Sequence, residues 1–401
     1  MTTPAFCTIL ATNYLPSALA LSDSLRRFDT GDRELVPLHV FLIDATPETE
    51  LPELDGVRWM TPWSLGLPER TVLELAMSYD LVEFATAIKP LLLQVLLAEY
   101  EQVAYLDPDT YQVSPMVELS PALRDGAGIV LTPHYLEPTP PGNAFTEGHL
   151  LNVGVYNLGF CAVDRKAEEM LKWWWSHLSS ECLHDPLAGL FVDQKWMDIG
   201  SVLFGATSLR HYGYNVGVGN LHERRIERDD DGYYVTPSRD RLRLFHFHAF
   251  DALRPEALYT RPATGSGTGS AADGGEALKQ LCHEYAAIVL GKRELLGPAP
   301  AYRYNSDTSG RPIPRRLRHA YRVAVAADPG GVPSPFLAAE ATEYERWRRD
   351  ARGLVGRLML SDLAKAVRCA VPEEYGTLKR RLPGLTTSLR KRYVENNGMW
   401  A

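Results

Sequence analysis

The first half of the chain alternates short apolar segments with segments of helical periodicity, and this alternation limits the fold more than any other feature. The apolar segments have the length of buried strands and are bounded by turn residues. Strands are predicted at 6–11, 38–43, 57–60, 102–106, 128–131, 152–158 and 242–247, and helices from Pro16 onward, at 72–77 and at 87–97. Such alternation is typical of an α/β domain with a mostly parallel central sheet flanked by helices.

The segment 262–275 consists mainly of glycine, serine, threonine and alanine, and it marks the predicted domain boundary. A segment of this composition has nothing to bury, so we predict a flexible loop or linker. Residues 1–261 are then the α/β domain. Residues 276–401 are predicted to form a mainly helical, arginine-rich region, with its clearest helices at 276–290, 338–349 and 353–367.

Composition and charge narrow the classes of function. The chain carries 42 Lys and Arg against 50 Asp and Glu, a net charge of −8, which argues against a dedicated nucleic-acid-binding protein. Its five cysteines are scattered without paired spacing, as expected of reduced thiols in the cytoplasm. The N-terminus lacks the basic segment of a secretion signal, and no apolar run approaches the roughly 20 residues that span a bilayer. These features predict a cytoplasmic protein.

Two basic runs near the C-terminus, 379–381 and 390–392, reverse the charge of this acidic protein locally. One interpretation is peripheral contact with anionic lipid at the inner face of the membrane, or with an anionic acceptor. The other interpretation is that these residues are solvated helix ends.

A pair of acids follows the predicted strand at 102–106. Side chains alternate along an extended backbone, so Asp107 and Asp109 lie on the same face, with Pro108 between them. Two carboxylates aimed at one point repel each other unless a divalent cation lies between them or one takes up a proton. We therefore predict a Mg²⁺ or Mn²⁺ site that presents the ion to a diphosphate. A simple turn is the alternative, because Asp-Pro-Asp is also good turn chemistry.

Five segments within residues 6–255 together resemble a known family. The segments are Ala11-Thr12-Asn13-Tyr14, Tyr105-Leu106-Asp107-Pro108-Asp109, Asn152-Val153-Gly154-Val155-Tyr156-Asn157, Asp193-Gln194, and His246 within Leu244-Phe245-His246-Phe247-His248. In order and spacing they are similar to the metal-dependent, retaining glycosyltransferases of the GT-A fold, especially family 8, which includes glycogenin and the bacterial lipopolysaccharide galactosyltransferases. The resemblance implies that 1–261 is a GT-A nucleotide-sugar-binding catalytic domain.

The resemblance further implies a UDP-sugar donor and Mn²⁺, with Mg²⁺ as the alternative ion. Asp107, Asp109 and His246 would hold the ion, which would neutralise charge growing on the departing diphosphate. A mixed carboxylate and imidazole set suits Mn²⁺ better than an all-oxygen set does. His248 is interpreted as an interior histidine rather than a second imidazole ligand. The acceptor is left open among a saccharide, a lipid-linked glycan, a protein side chain and a small natural product.

Further site residues come from the same resemblance. Asp193 and Gln194 would lie beside the anomeric carbon as the catalytic pair, and neither is assigned as a nucleophile. The residues that would contact the nucleoside and the donor sugar are Ala11, Thr12, Tyr14, Asn152 and Gly154.

The chain departs from the family pattern after residue 246. The family commonly carries a lysine there that contacts the phosphates, whereas the nearest basic residue followed by proline here is Arg254. Phosphate contact is therefore predicted for Arg254, with Lys89 or Arg224 as alternatives. His222 is predicted to contact the donor or the acceptor together with Arg224.

Two other functions were weighed. A sugar-nucleotide nucleotidyltransferase would carry a glycine-rich, arginine-bearing loop after the first strand, but the loop at 12–16 contains neither residue. A GT-A domain that has lost turnover and binds a glycan or a partner is the second alternative, and the altered segment after residue 246 favours it.

Overall fold

The computed structural model of the chain describes residues 4–28, 37–143, 145–258 and 274–370. The predicted linker, apart from its last two residues, lies outside these ranges. Both basic runs near the C-terminus also lie outside them.

The described residues form two compact units. The first unit contains residues up to Leu67 and from Val82 to Tyr302, and the second contains Pro68–Leu81 and residues from Arg303 onward. The predicted boundary at 262–275 stays a prediction, and the helix that follows it, Glu276–Leu296, packs within the first unit.

The strands of the first unit form one large sheet and several small ones. Their bounds are β1 Ala5–Leu10, β2 Leu38–Leu42, β3 Val57–Met60, β4 Gln102–Leu106, β5 Thr110–Gln112, β6 Ile129–Pro133, β7 Tyr156–Asp164, β8 His184–Asp185, β9 Leu190–Phe191, β10 Thr207–Ser208, β11 Arg225–Asp229, β12 Gly232–Thr236, β13 Asp240–Arg241 and β14 Leu244–His246.

Seven strands form the central sheet, in the order β10-β6-β7-β4-β1-β2-β3. The pairs β1/β2, β1/β4, β2/β3 and β6/β10 are parallel, and only β7 runs antiparallel to its neighbours β4 and β6. Every residue of β2, β4 and β6 is buried, as expected of a sheet covered on both faces. The predicted α/β class with a mostly parallel central sheet is confirmed.

The helices have the following bounds: α1 Leu15–Arg27, α2 Glu69–Ser78, α3 Leu81–Ala87, α4 Lys89–Glu99, α5 Leu119–Asp125, α6 Glu147–Val153, α7 Glu168–Glu181, α8 Trp196–Leu203, α9 Glu276–Leu296, α10 Arg315–Ala327, α11 Ala341–Asp350 and α12 Arg352–Ala370. Helix α1 packs against α9 and β5, and α4 packs against α7.

The predicted helix at 87–97 corresponds to α4, which begins at Lys89, and a further helix, α3, ends just before it at Ala87. The stretch Leu81–Glu99 is also long and apolar enough, by length and composition, to cross a membrane, which the sequence analysis did not recognise. Since 61% of this window is buried inside the protein, it has the character of a core helix. Lys89 is itself buried at the start of α4.

The strand predicted at 152–158 is wrong in its first half. Residues up to Val153 belong to α6, and β7 begins only at Tyr156. Gly154 ends the helix, because its φ of 113° lies in a region that other residues rarely adopt and its N–H donates to the carbonyl of Leu150. A side-chain pattern typical of strands therefore hid a short helix.

The pairing of β14 with β5 matters most for the site. The two strands are antiparallel, and His246 lies directly opposite Thr110. This register brings the residue after β4 and the end of β14 to the same place, although 137 positions separate Asp109 from His246 along the chain.

In the second unit a buried arginine joins α10 to α2. Arg318 is 2% exposed and donates to the carbonyls of Ala76 at 2.8 Å, Tyr79 at 2.7 Å and Tyr304 at 2.5 Å. The last carbonyls of a helix have no partner within the helix, so this guanidinium satisfies groups at the end of α2.

Candidate active site

The two acids lie on a tight turn between β4 and β5. The backbone of Asp107 is fixed on both sides, because its N–H donates to Gly159 at 2.8 Å and its carbonyl accepts from the N–H and the hydroxyl of Thr110 at 3.0 and 2.7 Å. Tyr105 donates its hydroxyl to Oδ1 of Asp107 at 2.7 Å. One oxygen of Asp107 is thus engaged, and Oδ2 faces the end of β14.

The imidazole of His246 lies across from both acids. Its Nε2 is 3.2 Å from Oδ1 of Asp109 and 3.7 Å from Oδ2 of Asp107. The ring is buried, with 6% of the side chain exposed. The structure therefore brings together the three residues predicted to hold an ion.

Asn215 fixes the orientation of the His246 ring. The amide nitrogen of Asn215 donates to the hydroxyl of Thr132 at 2.9 Å and to the carbonyl of Asn157 at 3.0 Å, so its Oδ1 faces Nδ1 of His246, 3.0 Å away. Nδ1 then carries a proton, so Nε2 is the ring nitrogen that can present a lone pair to an ion once its own proton is displaced. Nε2 is buried, and among the described residues it makes no well-aligned hydrogen bond. A ring nitrogen held in this way is arranged as a metal ligand is.

The charges of this group stabilise one another. Burial lowers the pKa of His246, but the facing carboxylates of Asp109 and Asp107 outweigh burial and raise it. Burial likewise raises the pKa of Asp109, and the imidazole outweighs that effect and lowers it. The site favours a cation between the acids, and a divalent ion can replace the imidazole proton there.

His248 also belongs to this group, contrary to the prediction of an interior histidine. It is exposed, and one ligand atom each from Asp109, His246 and His248 lie within 4.8 Å of one another. The reason is that β14 ends at His246 and the chain turns immediately afterwards, so the alternation of a regular strand does not apply.

Gly159 on β7 makes room for the cluster, and the sequence analysis did not identify it. A Cβ atom there would lie 2.4 Å from Cε1 of His246 and 3.0 Å from Oδ2 of Asp107. Neither distance is compatible with the present positions of these side chains. Only a residue without a side chain at position 159 therefore allows Asp107 and His246 to lie this close together.

Asp193 forms a buried ion pair with Lys89. The Nζ of Lys89 lies 2.5 Å from Oδ2 of Asp193 and donates to the carbonyl of Leu158 at 2.9 Å, and both charged side chains are at most 3% exposed. Burial lowers the pKa of Lys89, but Asp193 and Asp107 raise it overall. Lys89, an alternative candidate for phosphate contact, is thus paired with a carboxylate. Lys89 also lies 4.1 Å from the ring centre of Tyr105.

Gln194 ties the end of α6 to β7. Its amide nitrogen donates to the carbonyl of Val153 at 2.9 Å, and its oxygen accepts from the N–H of Leu158 at 3.2 Å. Gly154 lies against it, since a Cβ atom there would be 3.4 Å from Cγ of Gln194. Asn152 is exposed on α6 and donates to the carbonyl of Gly148.

The turn after β1 is anchored by an acid that the sequence analysis did not single out. The N–H and the hydroxyl of Thr12 both lie 3.1–3.3 Å from the carboxylate of Asp44, which follows β2. Because β1 and β2 are parallel neighbours, they end at the same edge of the sheet, and the residues that follow them, Thr12 and Asp44, lie close together. Burial raises the pKa of Asp44, against the hydrogen bonds from Thr12. Ala11 is buried in this turn, and Tyr14 is 39% exposed.

Comparisons with known proteins give the following likenesses. No family model matches the chain. The uncharacterized protein YfnF of Bacillus subtilis (strain 168) is 27% identical over 260 residues, which cover 62% of this chain and 82% of that protein.

Similar solved structures include the galactosyltransferase LgtC with donor and acceptor sugar analogs, at 16% identity over 71% of this chain and 95% of that chain, with a TM-score of 0.39. Mouse xyloside xylosyltransferase 1 is 12% identical over 61% of this chain and 97% of its own, with a TM-score of 0.35. The bifunctional glycosyltransferase WbbM is 13% identical over 62% of this chain, with a TM-score of 0.39, and the match spans 46% of WbbM. All three of these proteins are glycosyltransferases by name.

Three predicted contact residues lie apart from the acid pair or are engaged elsewhere. Arg224 is 1% exposed. It donates to the carboxylate of Glu223 at 2.9 Å and to the carbonyl of Tyr214 at 2.8 Å, so its described contacts stabilise the fold. Arg254 is exposed and pairs with Asp251 at 3.0 Å. His222 is half-buried, and its ring lies edge to face with that of Tyr135, with 5.0 Å between the ring centres.

Strained backbone occurs at three residues of the candidate site. The described non-glycine residues Val192, Asn215, Arg239 and Ala249 have φ values of 42°, 50°, 60° and 56°, in the left-handed region that non-glycine residues rarely adopt. Val192 directly precedes Asp193, Asn215 lies beside His246 and Ala249 follows His248, whereas Arg239 lies in the turn between β12 and β13. Strained backbone of this kind costs about 1–3 kcal/mol per residue and gathers at functional sites.

Proposed function

We propose that this protein is a glycosyltransferase that moves a sugar from a UDP-sugar to an acceptor hydroxyl, with Mn²⁺ as cofactor and with retention of configuration. The observation that carries the proposal is the meeting of Nε2 of His246 with the carboxylates of Asp107 and Asp109. Its buried lone pair supports a bound ion, and two acids support one that also binds phosphate oxygens.

The residues of the chain would act mainly by position and charge. In the reaction the bond between the anomeric carbon and the diphosphate oxygen breaks, and its electron pair leaves with UDP. The acceptor oxygen forms the new bond to the anomeric carbon, and its proton is assigned to the departing diphosphate. When bound, the metal ion would neutralise charge on that diphosphate. Asp107, Asp109 and His246 would hold the ion, and Asn215 would keep the imidazole turned toward it.

Asp193 and Gln194 are proposed at the sugar end of the site. An oxocarbenium-like transition state carries positive charge on the ring, which a nearby carboxylate stabilises. Lys89 neutralises part of the charge of Asp193 and holds it rigidly, so we propose a role in positioning and charge rather than as a nucleophile. Gln194, through its two backbone hydrogen bonds, would place Asp193 and Gly154 together.

Contacts to the nucleoside, the donor sugar and the phosphates are proposed from the sequence resemblance. The turn of Ala11, Thr12 and Tyr14 is proposed to bind the nucleoside, and Asn152 to line the sugar. Arg254 is the candidate for phosphate contact. A cytoplasmic location is supported by four buried cysteines that form no disulfide among the described residues: Cys7, Cys161, Cys182 and Cys282. The acceptor class and the proposed membrane contact of the basic runs rest on the sequence alone.

A direct test combines calorimetry with a donor screen. UDP and Mn²⁺ should each bind more tightly when the other is present, and the protein should hydrolyse or transfer from one nucleotide sugar in a panel with Mn²⁺. Asp109→Asn removes an oxygen that faces Nε2, so turnover should fall at least about 100-fold. Asp230→Asn, an exposed acid on the β11–β12 hairpin, is the matched control and should behave as the unaltered protein does.

Two results would contradict the proposal in different ways. UDP binding that is indifferent to Mn²⁺ and to Asp109→Asn would remove the metal-dependent mechanism. Binding that is synergistic, without turnover of any donor, would instead favour the alternative of a GT-A domain that binds but does not transfer.

A further inference from the structure

The turn that follows β14 has a fixed position beside the acids. The N–H of Phe247 donates to the carbonyl of Asp109 at 2.8 Å, and the N–H of Phe250 donates to the carbonyl of Phe247 at 3.1 Å, which closes the turn. The ring of Phe247 stacks on Tyr285 of α9, with 3.8 Å between ring centres and 4° between planes. Residues 248 and 249 are therefore carried on a turn that both the sheet and α9 hold.

The backbone of this turn directs His248 toward His246. Ala249, at the third position, has a φ of 56°, which a type II turn requires and usually meets with glycine. An alanine held there is a strained residue that its surroundings must stabilise. The two imidazole rings come to lie edge to face, with centres 5.8 Å apart and planes at 87°.

The donor atoms of Asp109, His246 and His248 are spaced for one ion. They lie within 4.8 Å of one another, and Asp107 approaches the group through its Oδ2, which is 3.7 Å from Nε2 of His246. Ligands opposite each other on an ion with bonds of about 2.1 Å are about 4.2 Å apart. Binding of an ion would therefore require only a small movement of the exposed His248 side chain.

We propose that His248 is a fourth protein ligand, so that the ion is held by two imidazoles and two carboxylates. This inference rests on the proposed metal-dependent function and specifies the metal. Imidazole nitrogen favours transition ions over Mg²⁺, and a second one strengthens that preference. The protein should therefore select Mn²⁺ over Mg²⁺ more strongly than a site with a single imidazole.

The test counts the imidazoles on bound Mn²⁺ by pulsed electron paramagnetic resonance, which detects directly coordinated ¹⁴N. The full chain with Mn²⁺ alone should show two coordinated nitrogens, and His248→Gln should show one. His283→Gln, an exposed histidine on α9, is the matched control and should still show two. Since residue 248 is exposed, the variant should fold, which circular dichroism would check.

Calorimetry gives a second reading on the same variants. His248→Gln should weaken Mn²⁺ binding at least about tenfold and Mg²⁺ binding by less, so that the ratio of the two affinities falls. One coordinated nitrogen in the unaltered protein, or unchanged Mn²⁺ affinity in His248→Gln, would overturn the inference.

The failure of this inference can be separated from failure of the proposed function. If His246→Gln abolishes Mn²⁺ binding and His248→Gln does not alter it, the metal site stands with one imidazole. If the unaltered protein does not bind Mn²⁺, with or without UDP, both proposals fall.

Discussion

Asn215 shows how one residue can meet two demands. Its backbone has a φ of 50°, and asparagine tolerates this region better than most residues do. Its amide nitrogen donates to the hydroxyl of Thr132 and the carbonyl of Asn157, and its amide oxygen therefore faces Nδ1 of His246. In the proposed metal site the imidazole is consequently oriented before the ion binds. Asn215 would act as a positioning residue, because its oxygen contacts Nδ1 of His246 and not the proposed ion.

Asn215→Gly is expected to weaken Mn²⁺ binding about 10- to 100-fold, because Nδ1 loses the acceptor that orients the ring. Glycine adopts the same φ freely, so the loss should come from the amide and not from the turn. Isothermal titration with Mn²⁺ measures it. Asn215→Asp, which keeps an oxygen toward Nδ1, should lose less affinity than the glycine variant does. Equal affinity in the glycine variant and the unaltered protein would show that Asn215 does not orient the ring.

The site is assembled by short elements that meet at the ends of longer ones. β4 delivers the acids, β14 delivers the imidazole by pairing with β5, and β7 passes between them with Gly159 at the point of closest approach. The pairing of β4 with β7 sets Leu106 opposite Phe160, so the glycine must lie beside Asp107. A side chain at that position would separate the acid from the imidazole.

Gly159→Ala is therefore expected to reduce Mn²⁺ affinity at least about tenfold and to destabilise the protein by about 1–3 kcal/mol through overpacking. Calorimetry and urea unfolding measure the two effects. Gly148→Ala in α6 is the control, since the nearest atom to its Cβ would be Oγ1 of Thr146 at 3.4 Å. That variant should keep its Mn²⁺ affinity. If Gly159→Ala also bound Mn²⁺ normally, the close approach would not matter to the site.

The sequence predicted the elements whose signal is local. β3 and β4 have their predicted bounds because each is an apolar run closed by polar residues. α6 was not predicted, and its last two residues were included in the strand at 152–158, because residues 152–155 alternate as a strand does and only the backbone of Gly154 shows that a helix ends there. β14 is shorter than the strand predicted at 242–247, and β5 was not predicted. Each has three residues and gains stability from pairing with the other, which a local pattern does not reveal.

The candidate site divides in the same way. The acids and His246 were predicted, because the acids follow a strand and the histidine matches a family segment. Asn215, Gly159 and Asp44 were not, because each acts through a contact set by strand order over long distances in the chain. His248 was misjudged for a related reason, since its exposure depends on the turn after β14 and not on its spacing from His246.

A group of charged and polar side chains around Glu118 stabilises the first unit. Glu118 accepts from Arg243 at 2.6 Å and from the hydroxyl of Tyr214 at 3.1 Å, and it lies 3.5 Å from His211. Burial raises the pKa of Glu118, but the bonds from His211 and Arg243 outweigh it and lower it from 4.5 to about 2. A folded-state pKa below that of the unfolded chain means that the stabilisation is complete above about pH 4.5 and is lost as pH falls toward 2.

Glu118→Gln is accordingly expected to lower the free energy of unfolding by about 1 kcal/mol at pH 7, allowing for screening by water. The difference from the unaltered protein should shrink as pH falls from 4.5 toward 2. Urea unfolding at several pH values measures it. The exposed Glu53, changed to Gln, is the control and should leave the curve in place. A difference that stayed constant across this range would mean that ionisation of Glu118 does not contribute.

The stack of Phe247 on Tyr285 has a practical consequence for anyone dividing this chain. Leu278, Cys282, Tyr285 and Val289 on α9 are buried in the same apolar cluster as Phe247, so removing them would expose the underside of the turn at 247–250 to water. A fragment ending at residue 261 would carry every proposed ligand and still lack the support that aims two of them. The shortest fragment that preserves this chemistry should extend through Leu296.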